Sequence, residues 1–403
     1  MDRNMVDKIR VLYSFPHKIG ATGICYAAWE HVESIRAAGA DVTVCTGVLH
    51  KQFSEGIHVK TTLSRGKLRV PYRLFGRLGS CRIHDWVTSR WLLKNPNRYD
   101  IVHGFALGSL ETIRAAVKLG IPTVLERCNA HTRYAYEVVQ AECKRLEMKM
   151  PHGSSHEFNA AQLTREELEY DAADYLFCPS EFVAQTFVNY GINPSKIERF
   201  QYGFKSFRST SSEEYNKSGG LTALFAAACT PRKGLHYALD AWLSSSACES
   251  GRLLIAGEFI PGYAERLSDK LSHPSITLIG YRSDLSEVMR NCDVLILPSI
   301  EEGSALVSYD ARAAGCLLLV SDASGAICEH EENALVHPAG DAAALAEHLS
   351  RVDGDRTLLN RLTSKSLQSI DEITWEAAGI RMVKAYERMV RQHKPLMDSN
   401  QRN

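Results

Sequence analysis

The sequence predicts an α/β protein with two domains, each built on a parallel sheet, that face each other across a cleft. Three observations support this class. Short apolar runs alternate with amphipathic stretches along the chain, which is the pattern of β-α-β units. The alternation breaks once, at a Ser- and Gly-rich stretch over residues 204–220, and then restarts. The 403 residues also match two or three domains of about 100–200 residues each.

The first half of the chain supplies the elements of one such domain. The apolar run Ile9–Tyr13 predicts a buried strand, and a glycine loop then leads into an amphipathic helix with apolar positions from Ile24 to Ile35. Gly39 ends that helix. Four later apolar runs predict strands at Val42–Cys45, Ile101–Val102, Pro122–Leu125 and Tyr175–Cys178. Strands separated by helices pair in parallel, and the helices cover both faces of the sheet.

The second half repeats the alternation after the polar stretch. Its apolar runs predict strands at Leu221–Ala228, Arg252–Ala256, Ile276–Ile279, Val294–Leu297 and Cys316–Val320. We therefore expect a first domain over residues 1–203 and a second over residues 204–373. Ligands of parallel α/β sheets bind beyond the carboxyl ends of the strands, so we expect functional residues in the loops that follow the strands.

Charge and cysteine usage exclude several classes of function. The chain has 47 Lys and Arg against 47 Asp and Glu, and this balance argues against a nucleic-acid partner. Its eleven cysteines are scattered without a Cys-x-x-Cys pair, which favours reduced thiols in the cytoplasm. The first residues lack the apolar core of a signal peptide, and no apolar run approaches the roughly 20 residues needed to cross a bilayer. We expect membrane contact to be peripheral at most.

An acidic loop follows the predicted strand Val294–Leu297. A turn containing Glu302 precedes a helix that we expect to start between Ser304 and Leu306, where free N–H groups favour an anion such as a diphosphate. Asp310 lies eight positions after Glu302, and at about 100° per residue this spacing puts both carboxylates on nearly the same helical face. Each could bind a pair of vicinal sugar hydroxyls, although the spacing fits two solvated acids equally well.

A basic loop follows the first strand of the second half. Pro231 starts a turn, and Lys233 and Gly234 lead into a helix predicted over Leu235–Trp242. A lysine at this point could neutralise a phosphate as a point charge. On its own the pattern is also that of an ordinary solvated lysine near a helix start.

Together the two loops resemble those of the family 4 glycosyltransferases, retaining enzymes of the two-Rossmann-domain GT-B architecture. Glu302 and Asp310 match the family's Glu-x(7)-Glu motif, with Asp in place of the second Glu, and residues 231–234 match its Pro-x-Lys-Gly. Shorter matches occur at residues 254–258, 279–285, 291–294, 298–299 and 324–329, and at Asn333. Residues 374–376 with Tyr386 are similar to the family's terminal helix, so we expect residues 374–403 to cross back onto the first domain.

The resemblance implies a metal-independent, retaining transfer of a sugar from a nucleotide-diphosphate donor to an acceptor hydroxyl, in glycan, polysaccharide or glycolipid synthesis, with no further cofactor. It places the ribose on Asp310 and the sugar hydroxyls on Glu302, and His131 would orient the sugar from the first domain. Lys233, with Arg232, would stabilise the diphosphate. The expected catalytic residues are Glu302, His131 and Lys233. The expected donor-binding residues are Gly20, Arg232, Lys233, Gly257, Gly280, Tyr281, Arg282, Glu302, Gly303, Ser304, Ala305, Leu306 and Asp310.

Two departures from the family pattern leave alternatives open. Ala228 stands where the family usually has an Arg, and Gly303-Ser304-Ala305 stands where it usually has Gly-Phe-Gly. A nucleotide-sugar epimerase of the same fold, or a catalytically silent nucleotide-sugar-binding protein, would also fit. A zinc pair at His152 and His156 is disfavoured, because the glycine and serines between them argue against a helix. His103 is a weaker candidate than His131.

A basic segment covers residues 65–98. It contains nine Lys or Arg and one acid, Asp85, with aromatic residues at Tyr72, Phe75, Trp86 and Trp91. This composition suits an anionic membrane surface or a lipid-diphosphate acceptor. A solvated basic face fits equally well, so the predicted partners are a nucleotide sugar, a glycan or lipid-linked acceptor and, through this segment, an anionic membrane.

Overall fold

The computed structural model describes residues 8–66, 68–70, 72–154, 156–204 and 219–400. These residues form a seven-stranded and a six-stranded sheet, both entirely parallel, together with a two-stranded antiparallel ribbon. The predicted α/β class with two Rossmann-like domains is therefore confirmed. Most of the predicted polar join, residues 205–218, lies outside the described residues.

The first sheet has the strand order β3-β2-β1-β6-β7-β8-β9. The strands of this domain, with the ribbon β4–β5, are β1 (Arg10–Ile19), β2 (Asp41–Leu49), β3 (His58–Thr61), β4 (Ser64–Arg65), β5 (Leu68–Arg69), β6 (Ile101–Phe105), β7 (Thr123–Glu126), β8 (Tyr175–Cys178) and β9 (Ile197–Arg199). Strand β1 continues six residues beyond the predicted end at Tyr13, through a register shift between Phe15 and Lys18. The apolar pattern stops near Pro16 and the polar residues that follow it, so the sequence underestimates the length of the strand.

Helices cover both faces of the first sheet. They are α1 (Ile24–Ala37), α2 (Tyr72–Leu93), α3 (Leu110–Lys118), α4 (Thr132–Arg145), α5 (Ala160–Ala172) and α6 (Glu181–Asn189). Helix α1 begins at the predicted residue and ends just before Gly39, because that glycine adopts a φ of 104°. Helix α2 is interrupted at Gly76, whose φ of 61° and ψ of −174° are not helical.

The second sheet has the order β12-β11-β10-β13-β14-β15. Its strands are β10 (Thr222–Ala226), β11 (Arg252–Ala256), β12 (Ile276–Leu278), β13 (Val294–Leu297), β14 (Leu317–Ser321) and β15 (Ala334–His337). Its helices are α7 (Leu235–Ser244), α8 (Ala247–Ser250), α9 (Tyr263–Arg266), α10 (Ser268–Leu271), α11 (Leu285–Arg290), α12 (Leu306–Ala313), α13 (Ala342–Gly354) and α14 (Arg356–Gln368). The predicted bounds of β11 and β13 are confirmed. Strand β13 is buried along its whole length, and β11 is mostly buried after its exposed first residue, Arg252.

The last helix, α15 (Trp375–Asn400), lies on the first domain and packs along α1. The chain leaves the first domain beside the point where it returns, since Phe204 forms a parallel bridge with Thr374. The hydroxyl of Tyr386 on α15 lies 2.6 Å from Nδ1 of His103, deep in the first domain's core. No helix within the described ranges is long and apolar enough to span a bilayer.

Candidate active site

A cavity of about 790 Å³ lies between the two domains at the carboxyl ends of their strands. The first domain contributes the end of β1, the loop after β7 and one turn of α2, and the second contributes the loops after β10 and β13. This is where ligands of parallel α/β sheets are expected. The volume falls within the range of about 300–1,000 Å³ that is typical of small-molecule sites.

An ion-pair cluster forms the second domain's wall of this cavity. The ammonium of Lys233 contacts the Glu302 carboxylate, and Nη1 of Arg232 lies 3.3 Å from the same Glu302 oxygen. Pro231–Lys233 form one 3-10 turn, which ends at Gly234 with a φ of 70°. A side chain at Gly234 would place its Cβ 2.0 Å from the Pro298 carbonyl oxygen, so glycine is required here.

The charge of Lys233 depends on nearby anions. Burial lowers the pKa of this lysine well below its ordinary value, and the adjacent Arg232 lowers it further. The buried Glu301 carboxylate acts in the opposite direction. A second anion in the cavity would therefore favour the charged lysine, which makes this wall suited to a phosphate.

The acidic loop and the start of α12 line the same wall. Ser304, Ala305 and Leu306 reach the cavity, and α12 begins at Leu306, within the predicted range. Glu302 therefore precedes the helix, and the expectation that it shares a helical face with Asp310 is wrong. The two acids still come from one strand-loop-helix unit, but Glu302 enters the cavity from the loop.

Asp310 lies further along α12, outside the lining of the cavity. It follows Leu306 and Val307, which do line the cavity, by about one helical turn. Burial raises the pKa of the Asp310 carboxyl to about 6. Its charge in turn acts on the Tyr26 hydroxyl in the first domain.

Several predicted donor-binding residues lie outside the cavity lining. Gly257 donates its N–H to the Gly280 carbonyl at 3.0 Å, and its Cβ would lie 1.9 Å from the oxygen of Ala227, which does line the cavity. Tyr281 is 68% exposed. Arg282 pairs with Asp284, its Nε donating to Oδ1 at 2.8 Å.

Two glycines of the predicted donor site, Gly20 and Gly303, lie where two segments of the chain approach each other closely. Gly20 has a φ of 82°, and its Cβ would lie 2.5 Å from the Cβ of Lys51. Gly303 faces the first domain, where an added Cβ would lie 1.5 Å from the Cys128 carbonyl oxygen. Neither glycine is part of the cavity lining, but Gly303 is a point of contact between the domains.

The structure does not bring the His131 imidazole into the cavity. Its ring caps α4, with Nδ1 accepting the N–H of Arg133 at 3.3 Å, and stacks on Tyr190 with centroids 4.6 Å apart. Burial, followed by the nearby arginine charges, lowers the pKa of His131 to about 4. The ring is therefore absent from the cavity lining, and the predicted contact of His131 with the donor sugar stays a prediction. His103 is also remote from the cavity, since its Nε2 lies 3.1 Å from the buried Glu126 carboxylate.

A buried carboxylate that joins the two domains was not among the residues predicted from the sequence. Glu301 is fully buried, accepts the N–H of Ala130 in the first domain at 3.1 Å and pairs with Arg232 at 3.1 Å. Its Oε2 is also 3.4 Å from Nε2 of His156, which lines the cavity. Burial alone would raise the pKa of Glu301, but His156 and Arg232 outweigh it and hold the pKa well below its usual range. The adjacent pair Glu301-Glu302 was the only sequence signal.

The zinc alternative has no support in the geometry. His152 pairs with Glu157 at 2.8 Å, whereas His156 turns towards Glu301. Over the described part of the chain, no group of three or more His, Cys, Asp or Glu side chains is arranged to hold a metal ion.

Two Rossmann-like domains with a cationic wall at the carboxyl edge of the second sheet define the GT-B class of glycosyltransferases. Family comparison agrees with this class. Residues 23–204 match the model described as Glycosyltransferase Family 4, and residues 220–355 match the model described as Glycosyl transferases group 1. The chain therefore belongs to the family 4 glycosyltransferases, as its motifs indicate.

Curated relatives match parts of the chain. A D-inositol 3-phosphate glycosyltransferase from Streptomyces bingchenggensis is 25% identical, over 78% of this chain and 72% of its own. The N,N'-diacetylbacillosaminyl-diphospho-undecaprenol alpha-1,3-N-acetylgalactosaminyltransferase of Campylobacter jejuni is 28% identical, over 30% of this chain and 33% of its own. The chain thus covers only a third of the length of the latter.

Solved structures show the same fold over nearly the whole chain. Anabaena Alr3699/HepE in complex with UDP and glucose superposes with a TM-score of 0.66 at 15% identity, covering 94% of this chain and 100% of that one. A glycosyltransferase from Rickettsia africae gives 0.65 at 16% identity, covering 95% and 99%. At this identity the likeness is one of fold.

Proposed function

We propose that this protein is a retaining glycosyltransferase that moves a sugar from a nucleotide-diphosphate donor to an acceptor hydroxyl without a metal ion. The observation that carries the proposal is the cluster of Lys233, Arg232 and Glu302 in the wall of the interdomain cavity. It combines the two charges that the reaction needs. Cations stabilise a leaving diphosphate, and a carboxylate binds sugar hydroxyls.

The donor would rearrange this cluster. Its diphosphate would replace Glu302 as the anion beside Lys233 and Arg232, with further N–H donors at the start of α12. Glu302 would then turn to the sugar hydroxyls. As the bond to the sugar breaks, negative charge grows on the diphosphate, and fixed cations in a dry site stabilise that charge most effectively.

The acceptor hydroxyl would attack on the side from which the diphosphate leaves and give its proton to the departing diphosphate oxygen, and attack from this side retains the configuration of the sugar carbon. The sugar passes through an oxocarbenium-like state, as in glycoside hydrolysis. Ala228, which lines the cavity, leaves out the cation that the family usually has there. Arg232 lies 3.3 Å from Glu302 and supplies the second cation in its place.

The name of a structural neighbour suggests the first donor to test, since HepE was solved in complex with UDP-glucose. We propose UDP-sugars as donors and lipid-linked or glycan acceptors, in line with the acceptors named for the relatives. Asp310 would take the ribose hydroxyls, and the loop at Gly280–Arg282 would lie beside the base. These assignments follow the family motifs.

We also propose peripheral contact with an anionic membrane through α2. Arg82, Trp86, Arg90 and Leu93 are exposed and, at spacings of three or four residues, lie on one side of the helix. The segment's single acid, Asp85, is buried and accepts the N–H of Thr112 at 2.8 Å, so it leaves the surface charge basic. Lys67 lies outside the described residues, as do the side chains of Arg65, Arg69 and Arg73.

Release of UDP from UDP-sugars tests the reaction. Lys233→Ala should lower acceptor-dependent UDP release by about 100-fold, because it removes a cation from the leaving group. The matched control is Lys365→Ala, which removes an exposed lysine paired with Glu332 on the same domain. Chelation should leave the wild-type rate unchanged, and loss of turnover that manganese restores would contradict metal independence. Conversion of one UDP-sugar into another without UDP release would favour an epimerase, and UDP binding without either reaction would favour a silent binding protein.

A further inference from the structure

We propose that the first domain's wall of the cavity binds a phosphate group of the acceptor, through Arg77, Ser80 and the helix turn that starts after Gly76. This inference rests on the proposed function, because that function assigns the second domain's wall of the cavity to the donor. It narrows the acceptor to a molecule that carries a phosphate or diphosphate close to the hydroxyl that receives the sugar.

The break in α2 creates a second helix start at the cavity. Gly76 adopts a non-helical conformation, so residues 77–93 form a helix with their own first turn. The N–H groups of a first turn lack acceptors within the helix, and the helix dipole makes that end positive. Arg77, Ser80 and Cys81 from this turn all line the cavity. The helix therefore presents its positive end to the cleft.

Ser80 indicates that this turn is built for a ligand. Its side chain is 2% exposed, and its hydroxyl has no hydrogen-bond partner within the described ranges. A buried hydroxyl without a partner is costly unless something else supplies the bond. A phosphate oxygen in the cavity would supply it, because the hydroxyl can donate to an anionic acceptor.

Arg77 supplies a positive charge that no neighbouring acid neutralises. The other arginines of the cavity have carboxylate partners, Arg127 with Glu166 at 3.7 Å and Arg232 with Glu301 at 3.1 Å. Among the residues that the structure describes, Arg77 has no ion pair. A guanidinium of this kind matches the geometry of a phosphate.

Apart from Arg127, which is paired with Glu166, the neighbouring lining groups add one cation and no anion to this wall. Lys18, at the end of β1, also lines the cavity and has no carboxylate partner among the described residues. His17 beside it stays neutral at pH 7, since burial and then the Arg77 charge lower its pKa to about 4. The wall therefore has a guanidinium, an ammonium, a hydroxyl and a helix N-terminus, which together suit a tetrahedral oxyanion.

The site is separate from the one proposed for the donor. The donor's diphosphate is assigned to Arg232, Lys233 and the start of α12, on the second domain. The Arg77 turn belongs to the first domain and faces the cavity from the other side. Two phosphate-bearing substrates can then occupy one cleft, each with its own cations.

Calorimetry with inorganic pyrophosphate tests the inference, with and without saturating UDP. Wild-type protein should bind pyrophosphate even when UDP occupies the donor site. Arg77→Gln should weaken this binding about tenfold, as expected for loss of a charge-assisted hydrogen bond, and Ser80→Ala should weaken it about threefold. Arg114→Gln, at an exposed position on α3 of the same domain, is the matched control and should leave binding within twofold.

The outcomes separate this inference from the proposed function. Pyrophosphate that UDP displaces completely, or an Arg77→Gln protein that binds it as tightly as Arg114→Gln does, overturns the inference. Failure of the wild type to bind UDP overturns the proposed function alone, because pyrophosphate without UDP still reports on the Arg77 turn. The small change Ser80→Ala keeps the test valid should Arg77→Gln not fold.

A third probe distinguishes the sources of the phosphate. Geranyl diphosphate that binds the UDP complex more tightly than pyrophosphate, and depends equally on Arg77, assigns the site to a lipid-linked acceptor. Geranyl diphosphate that binds no better than pyrophosphate assigns it to a water-soluble phosphorylated acceptor. Both results require the same loss in Arg77→Gln.

Discussion

Replacing Asp310 by Asn should stabilise the protein at neutral pH. The Asp310 carboxyl is largely buried on α12 and has no ion pair among the described residues, and burial raises its pKa from 3.8 to about 6. Each pKa unit corresponds to about 1.4 kcal/mol, so ionised Asp310 lowers the free energy of unfolding by up to about 3 kcal/mol at pH 7.5. Asn has nearly the same shape and no charge to bury.

The pH dependence of this effect has a definite sign. Because the folded pKa is raised, the folded state binds the proton more tightly than the unfolded state does. The contribution of Asp310 to stability is therefore most favourable below its unfolded pKa of 3.8, falls as the pH rises to about 6 and is constant above that. The gain from Asp310→Asn should be largest at pH 7.5 and should disappear towards pH 4.

Thermal unfolding of the two proteins from pH 4.5 to 7.5 measures this difference. We expect the variant's Tm to be about 5 °C higher at pH 7.5, given a few degrees per kcal/mol. Asp269→Asn, at an exposed position on α10, is the control and should show no such trend. An Asp310→Asn protein that is no more stable than the wild type at pH 7.5 would refute the electrostatic reasoning. In calorimetry the same variant should bind UDP more weakly, because its ribose partner is neutral.

Three further predictions concern the cavity, the domain contact and the membrane surface. Glu302→Gln should lower turnover about 100-fold yet bind UDP at least as tightly as the wild type, and equal losses in calorimetry and rate would contradict the assigned role. Gly303→Ala should impair closure of the two domains and lower both kcat and Tm, because its Cβ would lie 1.5 Å from a carbonyl oxygen of the first domain. The control Gly354→Ala, with open space around its Cβ, should change neither. Co-sedimentation with anionic vesicles at low salt should fall strongly in the double variant Arg82→Glu/Arg90→Glu and in 0.5 M salt, and a wild type that does not bind such vesicles would exclude the membrane contact.

Buried strands and local motifs were predictable from the sequence because their signals are local. Strand β13 is buried at every position and β11 at Leu253, Ile255 and Ala256, so each contains an apolar run with a clear end. The loops with Lys233 and Glu302 follow such strands, which places them at the sheet's carboxyl edge. The edge strands β3 and β9 were missed, since they are short and partly exposed and carry mixed residues.

Contacts between distant segments could not be predicted in this way. Glu301 meets Ala130 and His156 only after both domains have folded and closed, and no spacing within the sequence relates these residues. His131 has the composition of a functional loop residue, but its position as the N-cap of α4 turns the ring towards α6. The residue type indicated chemistry, whereas the helix start that decides the ring's direction depends on tertiary packing.

The bridge between Phe204 and Thr374 also determines how the cleft can open. Because the outgoing and returning segments of the chain lie side by side, the two domains are connected along one edge, which can act as a hinge. The two segments pack closely at Gly203, where an added Cβ would lie only 2.3 Å from the Trp375 nitrogen. The two domains can then separate by a rotation about this connection. Each domain stays at high effective concentration relative to the other. Reclosing after product release requires no search through relative orientations, so the cycle of opening and closing can be fast.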